Sequence, residues 1–118
     1  MRPGDADAAL LWDMLDAARA VRQVVAGMRF VEYEKNRTIR RAVEREAEIL
    51  GEAARRVSEP FKQAHPEIPW RPIVGLRNVL AHEYGEVKNE RMWNVATFDI
   101  PALIALLEPL VPSPPRAD

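Results

Sequence analysis

The sequence predicts an all-α fold, an up-and-down bundle of four main helices joined by short connections. Two observations carry that prediction. Apolar residues recur at the 3.6-residue helical period over most of the chain, and nothing competes with them. There is no alternating run of β-branched residues, no Asn-Gly or Asp-Gly hairpin signal and no internal repeat.

The first helix is the clearest. Between Leu10 and Met28 the apolar positions fall at Leu10, Leu11, Met14, Leu15, Ala18, Val21, Val25 and Met28, one amphipathic stripe. Asp5 and Asp7 suit the positive end of its macrodipole and Gly27 permits termination, so it spans about residues 6 to 27. A short connector holding Phe30 and Tyr33 precedes a second stripe of Ile39, Ala42, Val43, Ala47, Leu50, Ala53, Ala54 and Val57, which Pro60 stops. Gly51 lies inside that stripe, where glycine costs about 0.5–1 kcal/mol relative to alanine, and a close helix–helix approach would explain it. Pro60 to Pro72 reads as a structured connector with one short helical turn. A third helix begins at Pro69 or Pro72, presents Ile73, Leu76, Leu80 and Tyr84 on one face, and stops at Gly85. The fourth runs from Val87 to Val111 and is kinked or split at Pro101, with Asp99 near a second cap. One domain over residues 1–111, with a disordered Pro-rich tail over 112–118, is the expected organisation.

Composition narrows the function. A chain of 118 residues buries roughly two-thirds of its unfolded surface, enough for one core and not for two. With no cysteine there is no disulfide, zinc-thiolate, iron–sulfur or thiol chemistry. No apolar stretch is long enough to cross a membrane and the N-terminus is acidic rather than a basic leader, so a cytoplasmic protein without a membrane partner is expected. A net charge of −1 argues against a general nucleic-acid coat but leaves room for a local basic patch.

Polar chemistry concentrates near the end of the third helix, in Arg77-Asn78-Val79-Leu80-Ala81-His82-Glu83-Tyr84. Arg77 and Tyr84 project within about 20° of each other on an ideal helix, while His82 lies about 140° away. Either the last turn loosens, or a second copy of the chain completes the site across a two-fold axis; the second explanation is favoured. Read by themselves, such residues also serve as ordinary helix-end and surface groups.

The run Arg-Asn-X-Leu-X-His-X-Tyr resembles the HEPN superfamily. More narrowly it resembles the HepT-like ribonuclease toxins that pair with a minimal nucleotidyltransferase (MNT) antitoxin, whose motif is Arg-X4-His-X-Tyr. Glu48-Ile49-Leu50-Gly51-Glu52-Ala53-Ala54 and His65-Pro66-Glu67-Ile68-Pro69-Trp70 extend the resemblance to about Leu10–Leu110. The chain departs from the pattern at Val87-Lys88, where many members carry Val-Asp, and at the basic opening of the second helix, Lys35-Asn36-Arg37. The resemblance implies a HEPN-like bundle acting as a homodimer and a metal-independent endoribonuclease of a type VII-like toxin–antitoxin pair, cleaving cellular tRNA or mRNA. Arg77 and His82 would be catalytic, and no cofactor is called for. Tyr84 would accept AMP from the MNT partner, adding negative charge beside Arg77 and silencing the nuclease. Asn78 is expected to support the helix end or the arginine, and Glu52 to orient Arg77.

The chemistry is consistent with these residue types. RNA carries its own nucleophile, so cleavage needs a base, an acid and a cation at the phosphate, which Arg77 and a pair of His82 side chains supply. The alternative is a non-catalytic nucleotide- or substrate-binding partner of a nucleotidyltransferase. Lys35, Arg37, Arg40, Arg41 and Arg45 form a basic run with Glu44 its one acid, a candidate track for RNA phosphates or an ordinary solvated face. Glu44, Glu48 and Glu52 are spaced as a possible di-metal stripe, but neighbouring arginines make an ion-paired face the expected outcome. Trp12, Trp70 and Trp93 are read as core anchors and His65 as a connector residue.

Overall fold

Helix α1, Asp5–Val25, is the spine of the bundle in the computed structural model, which describes residues 3–112. Its buried stripe of Leu11, Met14, Leu15, Ala18 and Val21 lies along α3, Arg37–Arg56, whose own stripe is Val43, Ala47, Leu50 and Ala54. Ala17, Ala18, Ala47 and Ala54 are small and buried, which favours close packing of the two helices. Each large side chain removed from water here contributes about 1.5–3 kcal/mol. Gly27, with φ +74°, turns the chain after α1 at the expected place.

The Phe30–Tyr33 connector is itself a helix, α2, Phe30–Lys35. The Glu32 carboxylate accepts from the Arg29 N–H at 2.8 Å, which fixes its start, and Tyr33 is fully buried. Asn36 then caps α3 by accepting from the Ile39 N–H at 3.0 Å.

Past α3, Ser58 caps α4, Glu59–Ala64, and donates its N–H and hydroxyl to Asp7 at 2.9 and 2.6 Å. That ties the entrance of α1 to the exit of α3. The connector thus holds the short helix expected of it, α4, and a turn at His65–Pro69, and α5, Trp70–Val74, begins the third helix directly after Pro69, at the expected place. His65 stacks on Phe61 with ring centroids 4.4 Å apart, and its carbonyl accepts from Trp70 Nε1 at 2.9 Å. Trp93 packs on Tyr33 and Phe30, with centroids at 5.3 and 6.1 Å, and Trp12 and Trp70 are half-buried against the core, so all three tryptophans act as anchors.

The third main helix consists of α5 and α6, Leu76–His82, joined at Gly75. It ends three residues before Gly85. Glu83 and Tyr84 are extended, and Gly85, at φ +59°, opens the next helix instead of closing this one. The fourth helix comprises α7, Gly85–Asn94, a wide π turn at Val95–Asp99, and α8, Ile100–Leu107. The expected disruption at Pro101 takes this form because proline cannot donate to the carbonyl four residues back; the Ile100 N–H reaches Val95, five back, and the helix continues with a bulge. No strand occurs among the described residues. The bundle is all-α with four main helices, as the sequence predicts; the tail beyond Pro112 lies outside the described residues.

Two stability predictions follow from the core. A Cβ on Gly51 would stand 3.1 Å from the Ile73 carbonyl oxygen, so Gly51→Ala requires the α5 backbone to give by a few tenths of an ångström and is expected to lower unfolding free energy by about 1 kcal/mol in denaturant melts. The Tyr33 hydroxyl is buried without a hydrogen-bond partner, so Tyr33→Phe is expected to gain about 1 kcal/mol. Burial, reinforced by Glu44 and partly offset by Arg40, pushes the Tyr33 phenol up from 10.0 to about 12. Between those values the unfolded chain has released a proton that the folded chain retains, so wild-type stability falls as pH rises through this window and the Tyr33→Phe dependence is weaker.

Candidate active site

The site begins with the absent side chain of Gly51. Because α3 has only hydrogen there, the backbone of α5 settles on it, and the position of a Cβ would also lie 3.8 Å from Arg77 Cγ. Ile73 and Leu76, both buried, seat the α5–α6 arm, and Arg77 emerges beside them, more than half exposed.

Glu52, the residue after Gly51, meets Arg77 at 3.3 Å between Oε2 and Nη1. The same carboxylate accepts from Arg55 Nη2 at 2.7 Å and Nε at 3.2 Å. The bond from Arg55, helped by the charges of Arg55, Arg77 and Arg56, holds the Glu52 carboxyl below its ordinary 4.5. It stays ionised and keeps its hold on Arg77 until pH falls through that lowered value. One edge of the Arg77 fork is thus directed by the protein, and its remaining N–H groups face solvent.

His82 is the last residue of α6 and is exposed. It shares this short helix with Arg77 and keeps the angular offset of about 140° that five helical residues impose. Tyr84 is off the helix, at φ −133° and ψ 158°, with 78% of its surface exposed. The helical-wheel estimate that placed it beside Arg77 therefore does not apply. The chain does loosen, but only after His82, so the loosening frees Tyr84 and leaves the histidine where a regular helix puts it. Between them Glu83 bonds Arg91 of α7 at 3.0 Å, anchoring the extended segment.

Arg77 stands at the junction of two grooves. One, of about 480 Å³, it shares with Arg45, Glu48, Glu52 and Arg56; the other, of about 710 Å³, with Asn78, Arg71, Arg55, Val74 and Gly75. Asn78 lines the second groove without a side-chain bond to Arg77 among the described residues. Arg71 was not singled out in the sequence because it sits in a Trp-Arg-Pro stretch that reads as connector. Its signal is the spacing Arg71, Val74, Gly75, Asn78, one stripe of a helix that continues through Gly75.

The basic run of α2–α3 is divided by the fold. Only Arg45 reaches a groove containing Arg77, and it pairs with Glu48 at 3.7 Å. Arg40 donates to the Glu34 carbonyl; Arg41 and Lys88 both pair with Glu44, at 4.0 and 3.3 Å. Lys35 and Arg37 are exposed at the α2–α3 junction and line neither groove. Lys88, the departure from the family pattern, is thus the inter-helix partner of Glu44. Each of Glu44, Glu48 and Glu52 is ion-paired, as expected of a salt-bridged face.

Fold and site together define an all-α helical bundle with an arginine set between two grooves. Residues 14–110 match the family described as ribonuclease HepT-like, and the chain belongs to that family. A protein of Methanocaldococcus jannaschii provisionally named an RNase is 36% identical over 95 residues, covering 80% of this chain and 87% of the relative. One of Thermococcus cleftensis, provisionally named ribonuclease HepT, is 33% identical over 100 residues, covering 85% and 91%. A third, from Caldanaerobacter subterraneus and also provisionally named an RNase, is 35% identical over 79 residues, covering 67% and 70%. No solved structure matches the chain. No helix among the described residues is long and apolar enough to cross a membrane.

The Glu52 pairs are all more than 40% exposed, so their contribution is geometric rather than energetic. Glu52→Ala is expected to change unfolding free energy by less than about 1 kcal/mol, measured by urea titration at neutral pH.

Proposed function

We propose that this protein is a metal-independent endoribonuclease of the cytoplasm, the toxin of a type VII-like toxin–antitoxin pair, cleaving tRNA or mRNA. The observation that carries this reading is Arg77, held by Glu52 at the meeting of two grooves with its free N–H groups outward, on the same seven-residue helix as His82. A guanidinium so presented binds two oxygens of a phosphodiester and stabilises the charge that grows on them as a fifth oxygen adds to phosphorus.

The 2′-hydroxyl of the RNA is the nucleophile. One histidine removes its proton while the P–O5′ bond breaks, and a second protonates the departing O5′, leaving a 2′,3′-cyclic phosphate and a 5′-hydroxyl. A single His82 cannot readily do both in one step, so the active species is a homodimer in which two copies of α6 face each other across a two-fold axis. The imidazole is suited to both roles at neutral pH.

Tyr84 is the acceptor for AMP, transferred from ATP by a nucleotidyltransferase partner of the MNT class. Its exposure fits an acceptor that another protein must reach. Each transferred unit adds about one negative charge to the extended segment that follows His82 and opposes the approach of an RNA phosphate.

Protein expressed without a partner, with Tyr84 verified as unmodified by intact mass, is expected to cleave tRNA or mRNA in EDTA and to leave cyclic phosphate ends. His82→Ala should lose cleavage by at least about a hundredfold, and Arg77→Ala similarly, each with an unchanged melting temperature. Tyr84→Phe should cleave like wild type but escape silencing by ATP and the nucleotidyltransferase. Absence of cleavage by unmodified dimer on both RNAs would instead favour a nucleotide-binding module.

A further inference from the structure

The groove in which Arg77 meets Arg71 and Asn78 does not end at α6. Arg71 and Val74 also line a depression of about 410 Å³ with Trp70, Lys62 and Gln63, so the two grooves adjoin at α5. The cations along them differ in how they are occupied. Arg55 is committed to Glu52 through bonds of 2.7 and 3.2 Å. Lys62 is largely covered, donating to the Arg55 carbonyl at 3.1 Å and pairing with Glu59 at 3.8 Å. Arg71 is exposed and has no ion pair or side-chain hydrogen bond among the described residues.

An unspent guanidinium lining the same groove as Arg77, displaced by about 9 Å along and about 120° around an ideal helix, is suited to a second phosphate of the same strand. Along α3, Arg40, Arg41 and Arg45 each already have a carbonyl or carboxylate partner, and Arg56, which has no such bond among the described residues, lies in the other groove among the carboxylates of Asp13, Glu48 and Glu52. We infer that Arg71 binds an RNA phosphate adjoining the one held at Arg77, so that the strand leaves the cleavage point across α5 and not along the basic run of α3. This rests on the ribonuclease reading above and adds to it a single-stranded substrate with at least one phosphate beyond the scissile one. Arg71 is a binding residue that does not touch the reacting atoms, and its loss acts on affinity.

The test uses the full chain carrying His82→Ala, which binds without cutting, and fluorescein-labelled single-stranded RNA whose anisotropy is followed from low to high salt. Adding Arg71→Ala is expected to weaken binding about five- to tenfold and to reduce the slope of log K against log salt by about 0.7, the loss of one single-strand phosphate contact. Arg71→Lys should recover most of the slope, because the charge is kept. Arg22→Ala, exposed on α1, should leave both quantities unchanged. In the active protein, Arg71→Ala should raise KM on longer RNA with kcat nearly constant, and leave cleavage of a dinucleotide, which has only the scissile phosphate, as in wild type. If the His82→Ala protein binds RNA and Arg71→Ala neither weakens it nor changes the slope, the inference is overturned while the nuclease reading stands. A larger loss from Lys35→Ala with Arg37→Ala than from Arg71→Ala also overturns it, in favour of a path along α3. Absence of both RNA binding and wild-type cleavage overturns the two readings together.

Discussion

The arrangement of this molecule depends on one close approach, the α5 backbone lying against Gly51 of α3. Glycine is a costly residue inside a twenty-residue helix, and the structure shows what offsets that cost. With no Cβ at this point, the Ile73 carbonyl comes within van der Waals range of α3, Ile73 and Leu76 enter the core, and Arg77 crosses directly over the glycine to Glu52. A methyl group here would press on the α5 backbone, not on a side chain that could turn away. The packing of two helices and the placement of the guanidinium are therefore one constraint, and any change that displaces α5 also displaces the candidate catalytic arginine.

Charge is organised around this contact. The chain is almost neutral, yet arginines gather at the α3–α5–α6 junction because the carboxylates of α3 are already paired along their own helix, Glu48 with Arg45 and Glu52 with Arg55. These pairs are exposed and add little to stability. Their effect is on direction and on the proton. Glu52, its carboxyl held below the ordinary value by Arg55 and Arg77, keeps one edge of Arg77 directed toward α3. Where a cation carries such a partner it is a fixed wall of the groove; where it does not, as at Arg71, it is available to a ligand.

The helix breaks are as informative as the helices. After Val25 the chain turns at a left-handed glycine, at Pro101 it widens by one residue and continues, and after His82 it becomes extended for two residues before Gly85 starts a new helix. Only this last break lies at the site. It separates two candidate residues that a regular helix would hold rigidly together: His82 remains fixed to the frame of Arg77, while Tyr84 stands out in solvent, its segment tethered by the Glu83–Arg91 pair. The proposed roles, a histidine acting in chemistry and a tyrosine accepting a group from another protein, call for different rigidity and access, and this break is compatible with both.

What the sequence determined by itself was the class of fold, the long helices α1 and α3, the tryptophan anchors, the close approach at Gly51 and the Arg77–His82–Tyr84 motif, because each is written in local periodicity, residue size or spacing. The helical character of Phe30–Lys35 was not legible, and Glu59–Ala64 was legible only as one turn without bounds, since segments of six residues are too short for a period to show and are stabilised by caps and by burial of Tyr33 and Phe61. The end of α6 at His82 escaped for a related reason: glycine signals a stop without stating which residue before it leaves the helix. The position of Glu52 beside Arg77, the separation of Arg45 from Lys35 and Arg37, and the placement of Arg71 in the same groove as Arg77 were decided only by tertiary structure. Those relations join residues on different helices, and it is the depth to which α5 settles on Gly51 that sets the distances between them.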